Sequence, residues 1–221
     1  MHVSDSSAPL TLAQQAAVAR ICYALEQPGA VVLLCGPGGA GKSTVLAHVE
    51  GCRQLQSRTV CRRGLDDVQE LLDGRGGREP SLDTLLVDDA HLAGDGELSR
   101  LVSRCRSSRG PAGVVLAGEG RLFTLIARDA RLEQLVRLRA TLPPFSLDES
   151  RLLLASALTA AGPSENRDAV ARCIHEIAGG IPAVVRRLAD TVSVFAEAHP
   201  ARVIVPDDIE TMHRRLSVNA A

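Results

Sequence analysis

The chain has no tryptophan, one tyrosine and three phenylalanines among 221 residues. That is too few rings for the stacked-base platforms of single-strand-binding proteins. Its six cysteines, at 22, 35, 52, 61, 105 and 173, nowhere form a C-x-x-C spacing. Most sit among apolar neighbours, so buried reduced thiols are expected rather than disulfides or zinc ligands. No apolar run approaches the roughly 20 residues of a membrane helix. The opening Met-His-Val-Ser-Asp-Ser-Ser lacks the basic and apolar regions of a signal peptide. Direct membrane insertion is therefore not expected, and a cytoplasmic setting is. An excess of one charge sign is also missing, with 25 Lys plus Arg against 26 Asp plus Glu. Lysine is the scarcest of the charged residues: Lys42 is the only one among those 25. A chain that uses arginine everywhere else has kept one compact ammonium, at a place where the broad guanidinium fork would not fit.

What surrounds Lys42 explains it. Val31 to Cys35 is a continuous apolar run, the pattern of a fully buried strand. Gly36, Gly41, Lys42 and Ser43 then fit G-x-x-x-x-G-K-[ST], the phosphate-binding loop. A loop wrapped round a polyphosphate aims successive backbone N–H groups inward, which requires positive φ and no Cβ in the way. Gly36, Gly38, Gly39 and Gly41 supply that freedom, with Pro37 and Ala40 between them. The expected nucleotide-binding segment is Gly36 to Thr44. Lys42 reaches the β and γ phosphates, Ser43 takes a place on Mg²⁺, and the helix beginning near Lys42 points its positive end at the anion.

The 45 % hydrophobic fraction and the length suit one large or two small globular domains. Leu12, Ala16, Val18, Ile21, Cys22 and Leu25 recur at helical spacing, predicting a helix over 11–26 that leads into the loop strand. A short strand is expected at Thr59 to Cys61, a helix at Leu65 to Leu72, and an exposed Gly/Arg-rich loop at 73–80. Leu82 to Asp89 is an apolar run that ends in two carboxylates, the Walker B pattern. In a parallel sheet the carboxyl end of such a strand lies beside the phosphate site. Asp88 would hold Mg²⁺, directly or through water, and Asp89 would polarise the attacking water. The one strand between the two motifs favours the additional-strand ATPases over nucleotide kinases. A helix at Glu97 to Arg106, a buried strand at Gly113 to Ala117, helices through Val136 and a last strand at Leu138 to Leu142 complete an α/β core. Residues 100–140 hold nine arginines against Glu119, Asp129 and Glu133. They form a solvated helical face, an arginine finger for a neighbouring subunit, or a DNA-facing patch.

From Ser146 the pattern is helical throughout. Ser146-Leu-Asp-Glu149 is a capping box opening a helix to Ala161. Further helices are expected at Asn166 to Ala178, Pro182 to Ala198 and Asp207 to Leu216. The expected division is an irregular start at 1–10, a core at 11–145 and a helical domain at 146–221.

These residues resemble an AAA+ ATPase, in particular the ExeA-like (general secretion pathway protein A) branch and the related transposition-helper ATPases. Gly36 to Thr44 is similar to that family's Walker A, and Leu85 to His91 to its Walker B. Val114 to Glu119 is similar to its Val-Gly-Gln strand, and Ile174 to Pro182 to the Gly-Ile-Pro-Arg motif of its lid. The resemblance implies a P-loop parallel sheet flanked by helices and a small all-helical lid. It also implies ATP and Mg²⁺ as ligands, homo-oligomerisation when active, and a finger at Arg137 or Arg139. The chain departs from the family at three places: Asp89 replaces Glu, His91 replaces Gln, and Ala183 stands where the lid arginine belongs, leaving Arg186 or Arg187 to reach in. His91 either senses the γ-phosphate or caps a turn.

Two functions of different class follow. One is Mg²⁺-dependent ATP hydrolysis, with Lys42, Asp88, Asp89 and a neighbour's Arg137 or Arg139 as the catalytic set. The other is a weakly hydrolysing, nucleotide-gated switch that binds DNA or a protein partner, as Asp89 and Ala183 would suit. A phosphotransferase is disfavoured by the helical C-terminal part, and a partition ATPase by the absence of its second lysine.

Overall fold

The structure is a computed structural model that describes residues 10–72, 82–107, 113–155, 157–158, 164–200 and 202–218. The irregular start expected at 1–10, apart from Leu10, and the loop expected at 73–80 lie outside the described residues. The chain divides into two compact units. One runs to Pro37 and from Gly41 to Pro143; the other joins Gly38–Ala40 to the chain from Pro144 onward.

The first unit is built on strands with no polar face. β1 (Val31–Cys35) is buried at all five positions, and β4 (Gly113–Gly118) at all six. β3 (Thr84–Asp88) is buried until its last residue. Strands covered on both sides show no alternation, which is why these three read as plain apolar runs. β2 (Val60–Gly64) and β5 (Val136–Thr141) are half-exposed edge strands. The order is β2-β3-β4-β1-β5, and every pairing is parallel. β1 lies between β4 and β5, with Val31 opposite Val114 and Val136. All carboxyl ends therefore share one edge of the sheet.

Helices α1 (Leu12–Leu25), α2 (Lys42–Glu50), α3 (Leu65–Leu72), α4 (Glu97–Ser107), α5 (Arg121–Ala127) and α6 (Ala130–Leu135) accompany the strands. α1 starts at a Thr11–Gln14 capping box. Its inward stripe differs from the expected one. Leu12 is 82 % exposed, and Gln14 joins Ala17, Ile21, Cys22 and Leu25 inside. β2 runs three residues further than the expected Thr59–Cys61, because Arg62 and Arg63 sit on an edge where charged side chains reach solvent. β5 starts at Val136, directly behind α6, so Arg137 lies in a strand and not at a helix end.

The second unit packs α7 (Leu147–Leu154), α8 (Ser164–Ala178), α9 (Pro182–Ala198) and α10 (Pro206–Val218) around Leu154, Val170, Ile174, Val185, Leu188 and Ile209. Ser146 and Glu149 form the expected capping box. The helix it opens ends at Leu154, well short of 161, and residues 156 and 159–163 lie outside the described set. Gly179 (φ 56°) and Gly180 (φ 69°) close α8 in left-handed geometry. A Cβ on Gly180 would strike the Phe145 carbonyl oxygen, and the Phe145 N–H donates to the Gly180 carbonyl at 2.7 Å. In this unit the Ala183 N–H also donates to the Gly39 carbonyl at 3.2 Å.

All six cysteines are free. Cys22, Cys35 and Cys105 are buried, but Cys52, Cys61 and Cys173 are only half-buried, so the expectation of buried thiols holds for three. Burial pushes the Cys22 thiol up to about 12, helped by a hydrogen bond with Cys52. Burial also pushes the Cys35 thiol up to about 11 against the opposing charges of Lys42 and Arg139. Raised values keep both protonated and unreactive at pH 8. Iodoacetamide at that pH should therefore alkylate Cys52 and Cys61 well before Cys22 or Cys35, as peptide mass mapping would show. Leu33→Ala or Leu116→Ala, at fully buried sheet positions, should cost about 2–5 kcal/mol in urea denaturation. Leu12→Ala should stay within about 0.5 kcal/mol.

Candidate phosphate-binding site

The loop leaves the sheet between two clamps. The Gly36 N–H donates to the Gly118 carbonyl of β4 at 3.2 Å, and the Leu142 N–H, just past β5, donates to the Cys35 carbonyl at 2.7 Å. The strand end that launches the loop is thus fixed by both neighbouring strands. Gly39 (φ 77°) and Gly41 (φ 92°) then take conformations that residues with a Cβ rarely adopt. Gly41 is the N-cap of α2 and offers no side-chain acceptor. The first N–H groups of that helix are left for an external anion.

Lys42 is only 7 % exposed. Its ammonium donates to the carbonyls of Gly36 and Pro37, each at 3.0 Å. A near-buried cation needs such acceptors, and these two place the charge inside the curve of the loop. Ser43 and Thr44 are exposed. The Ser43 carbonyl accepts from the Arg62 guanidinium at 3.1 Å, and Arg62 also pairs with Glu50 at 3.4 Å. That places an edge-strand arginine across both ends of α2. Nothing in the residue pattern points to it, because the partner lies nineteen residues away. Gln14 was likewise missed. A Cβ at Gly41 would lie 2.5 Å from its Nε2, while its Oε1 accepts from the Thr11 N–H at 3.1 Å. The T-x-x-Q spacing of a capping box was the available signal.

Asp88 is the last residue of β3, at the carboxyl edge from which the loop also springs. Asp89 follows in the left-handed region at φ 54°, ψ 27°, and it is the one non-glycine residue with positive φ among those described. Its N–H donates to Asp88 Oδ1 at 3.1 Å. A 3-10 turn at Ala90–Leu92 comes next. Arg121 donates to the carbonyls of His91 and Ala93, the latter at 3.1 Å, and so fastens that turn to α5.

No group of three or more His, Cys, Asp or Glu converges on a metal position among the described residues. Mg²⁺ does not need one. It keeps several waters and binds one or two protein oxygens together with substrate phosphates. The Ser43 hydroxyl, exposed on the first turn of α2, and the Asp88 carboxylate are hard oxygen donors of that kind. The two arginine candidates lie on β5 with exposed side chains. Arg139 is paired with Glu133 of its own chain at 3.0 Å. Arg186 and Arg187 are exposed on α9. Gly41→Ala should cost about 1–3 kcal/mol from the left-handed backbone alone, with the Gln14 collision in addition. Adding Gln14→Ala should recover the collision cost but not the backbone cost, a difference that urea denaturation of the pair would reveal.

No known family profile matches this chain, and no curated protein matches its sequence. Solved structures do match it in shape. The Thermotoga maritima RuvB Holliday junction branch migration motor is 22 % identical over 91 % of this chain and 69 % of its own, with a TM-score of 0.63. The Aeropyrum pernix ORC2 protein, solved in ADPNP and ADP complexes, is 12 % identical over 92 % of this chain and 68 % of its own, with a TM-score of 0.62. The chain shares the fold of these two proteins: a parallel sheet flanked by helices, followed by a helical C-terminal region.

Proposed function

We propose that this protein binds Mg-ATP at Gly36–Thr44 and hydrolyses it, coupling turnover to movement between its two units and between subunits of a homo-oligomer. The observation that carries the reading is the loop itself. An uncapped helix N-terminus, two left-handed glycines and a nearly buried lysine held on loop carbonyls form a cradle whose only complement is a polyanion. The match to RuvB and ORC2 supports the fold in which such a loop serves ATP. Within the fold, the Ile174–Pro182 segment carries the finer resemblance to the ExeA-like and transposition-helper branch. The cytoplasm is the proposed setting.

In this reading Lys42 and the amides at the start of α2 balance the β and γ phosphates. Ser43 and Asp88 would hold Mg²⁺, which would supply charge neutralisation to the phosphates. Water attacks the γ phosphorus, the bond from that phosphorus to the bridging oxygen breaks, and ADP leaves with that oxygen. Asp89 accepts the proton released by the water. Arg137 or Arg139 of a neighbouring subunit offsets the charge on the transferring group.

A second reading, a switch that binds ATP and turns it over poorly, is favoured by two observations. Asp89 is one methylene shorter than the glutamate usual in this place. Arg139 is already paired with Glu133. In this reading the arginines of 100–140 meet DNA or a protein partner.

Steady-state Mg-ATP hydrolysis measured across protein concentration separates the two. On the ATPase reading, specific activity rises with concentration, and Lys42→Ala loses nucleotide binding. Arg137→Ala or Arg139→Ala drops turnover about 10³-fold, the scale of an arginine finger. Binding without turnover at any concentration, with or without duplex DNA, selects the switch. Full activity in a strictly monomeric form removes the shared site.

A further inference from the structure

His91 has no role in the chemistry described so far, yet its side chain lies beside Asp89. Its imidazole is 15 % exposed. Its Nδ1 is fully buried and has no hydrogen-bond partner. An unpartnered buried polar atom is uncommon and calls for a reason. The residue's backbone is held from two directions. Arg121 grips the His91 carbonyl. Gly118, at the end of β4, lies so near that a Cβ there would stand 2.9 Å from the His91 N and 3.3 Å from Nδ1. The nearest opposite charge is Asp89, whose Oδ1 is 4.0 Å from that same Nδ1. Its side chain is 61 % exposed and free to turn. The pair thus consists of a largely buried ring with one unused nitrogen and a carboxylate about 1 Å beyond hydrogen-bond reach.

We propose that His91 is a positioning residue for Asp89. With nucleotide bound, its Nδ1–H donates to one Asp89 oxygen and holds the other oxygen toward the attacking water. This rests on the reading that Asp89 serves the water. It also accounts for the shorter acid, because a carboxylate that reaches less far gains from being held at a fixed angle. The left-handed backbone at Asp89 (φ 54°) and the 3-10 turn behind it bring residue 91 back beside residue 89. In an extended chain the two side chains would share a face but lie farther apart. The closeness of Gly118 belongs to the same arrangement, since any side chain there would push the His91 backbone, and the ring with it, out of place.

The test compares the parent with His91→Leu, His91→Asn, Asp89→Asn and the Asp89→Asn/His91→Leu double variant. Misplacing a catalytic group by about 1 Å can cost up to about 100-fold, and an effect of about tenfold is expected here. His91→Leu should lower kcat by about that factor and leave KM for Mg-ATP unchanged, the mark of an interaction used in the transition state. His91→Asn, whose amide overlays Nδ1, should restore most of the rate. In the Asp89→Asn background His91→Leu should have no further effect. Parental turnover in His91→Leu, equal losses in the Leu and Asn variants, or a full further loss in the double variant would overturn the proposal. A second readout needs no turnover. In ¹⁵N-histidine protein with Mg²⁺ and a non-hydrolysable ATP analogue, the Nδ1 resonance of His91 should move on Asp89→Asn. An unmoved resonance overturns the pairing. A moved resonance in a protein that never hydrolyses ATP sustains the pairing and sinks the ATPase reading instead.

Discussion

A single buried ammonium organises the loop. An anion-binding turn must point its N–H groups one way, and so some carbonyls point another. Lys42 is the donor that answers two of them, at Gly36 and Pro37. Without it these carbonyls would lose that donor, and without them the cation would sit nearly buried and unpaired. The flanking clamps belong to the same constraint. The bonds from Gly36 to Gly118 and from Leu142 to Cys35 hold the strand end from which the loop turns. The site therefore depends on the sheet, and the sheet on its three buried inner strands.

The elements legible in the sequence were those whose signal is local. Val31–Cys35, Thr84–Asp88 and Gly113–Gly118 announced themselves because a strand covered on both faces has no polar alternation to confuse it. The phosphate loop was legible because its glycines and lysine are fixed by backbone geometry within one turn. Ser146 and Glu149 declared a helix start for the same reason. β5 was harder to place, since its exposed Arg137 and Arg139 alternate with half-buried Val136 and Leu138, and the first of these residues continues the helical pattern of α6.

The rest was hidden by distance along the chain. Leu12 looked like a core residue by spacing and proved to be solvent-exposed, while the polar Gln14 is buried. What decides between them is the presence of Gly41 beside α1, a fact no window of α1 contains. Arg62 and Arg121 each act through backbone carbonyls on another element, and carbonyl partners leave no trace in residue types. The left-handed backbone at Asp89 is likewise invisible, because nothing in Asp-Asp-Ala-His predicts φ 54°. His91 is legible only as a departure from a motif. Its surroundings, Gly118 and Arg121, came only with the fold.

The order of the sheet has a consequence for how the protein is made. β1 is synthesised first of the five strands but occupies an inner place, flanked by β4 and β5, which are made last. Val31 must wait for Val114 on one side and Val136 on the other. Until β4 and β5 have emerged from the ribosome, the clamps at Gly118 and Leu142 do not exist. The nascent chain then carries the complete phosphate-loop sequence with no frame to shape it. The loop can thus take its shape only near the end of the core's synthesis, and a chain halted before residue 113 would carry the motif without the frame that shapes it.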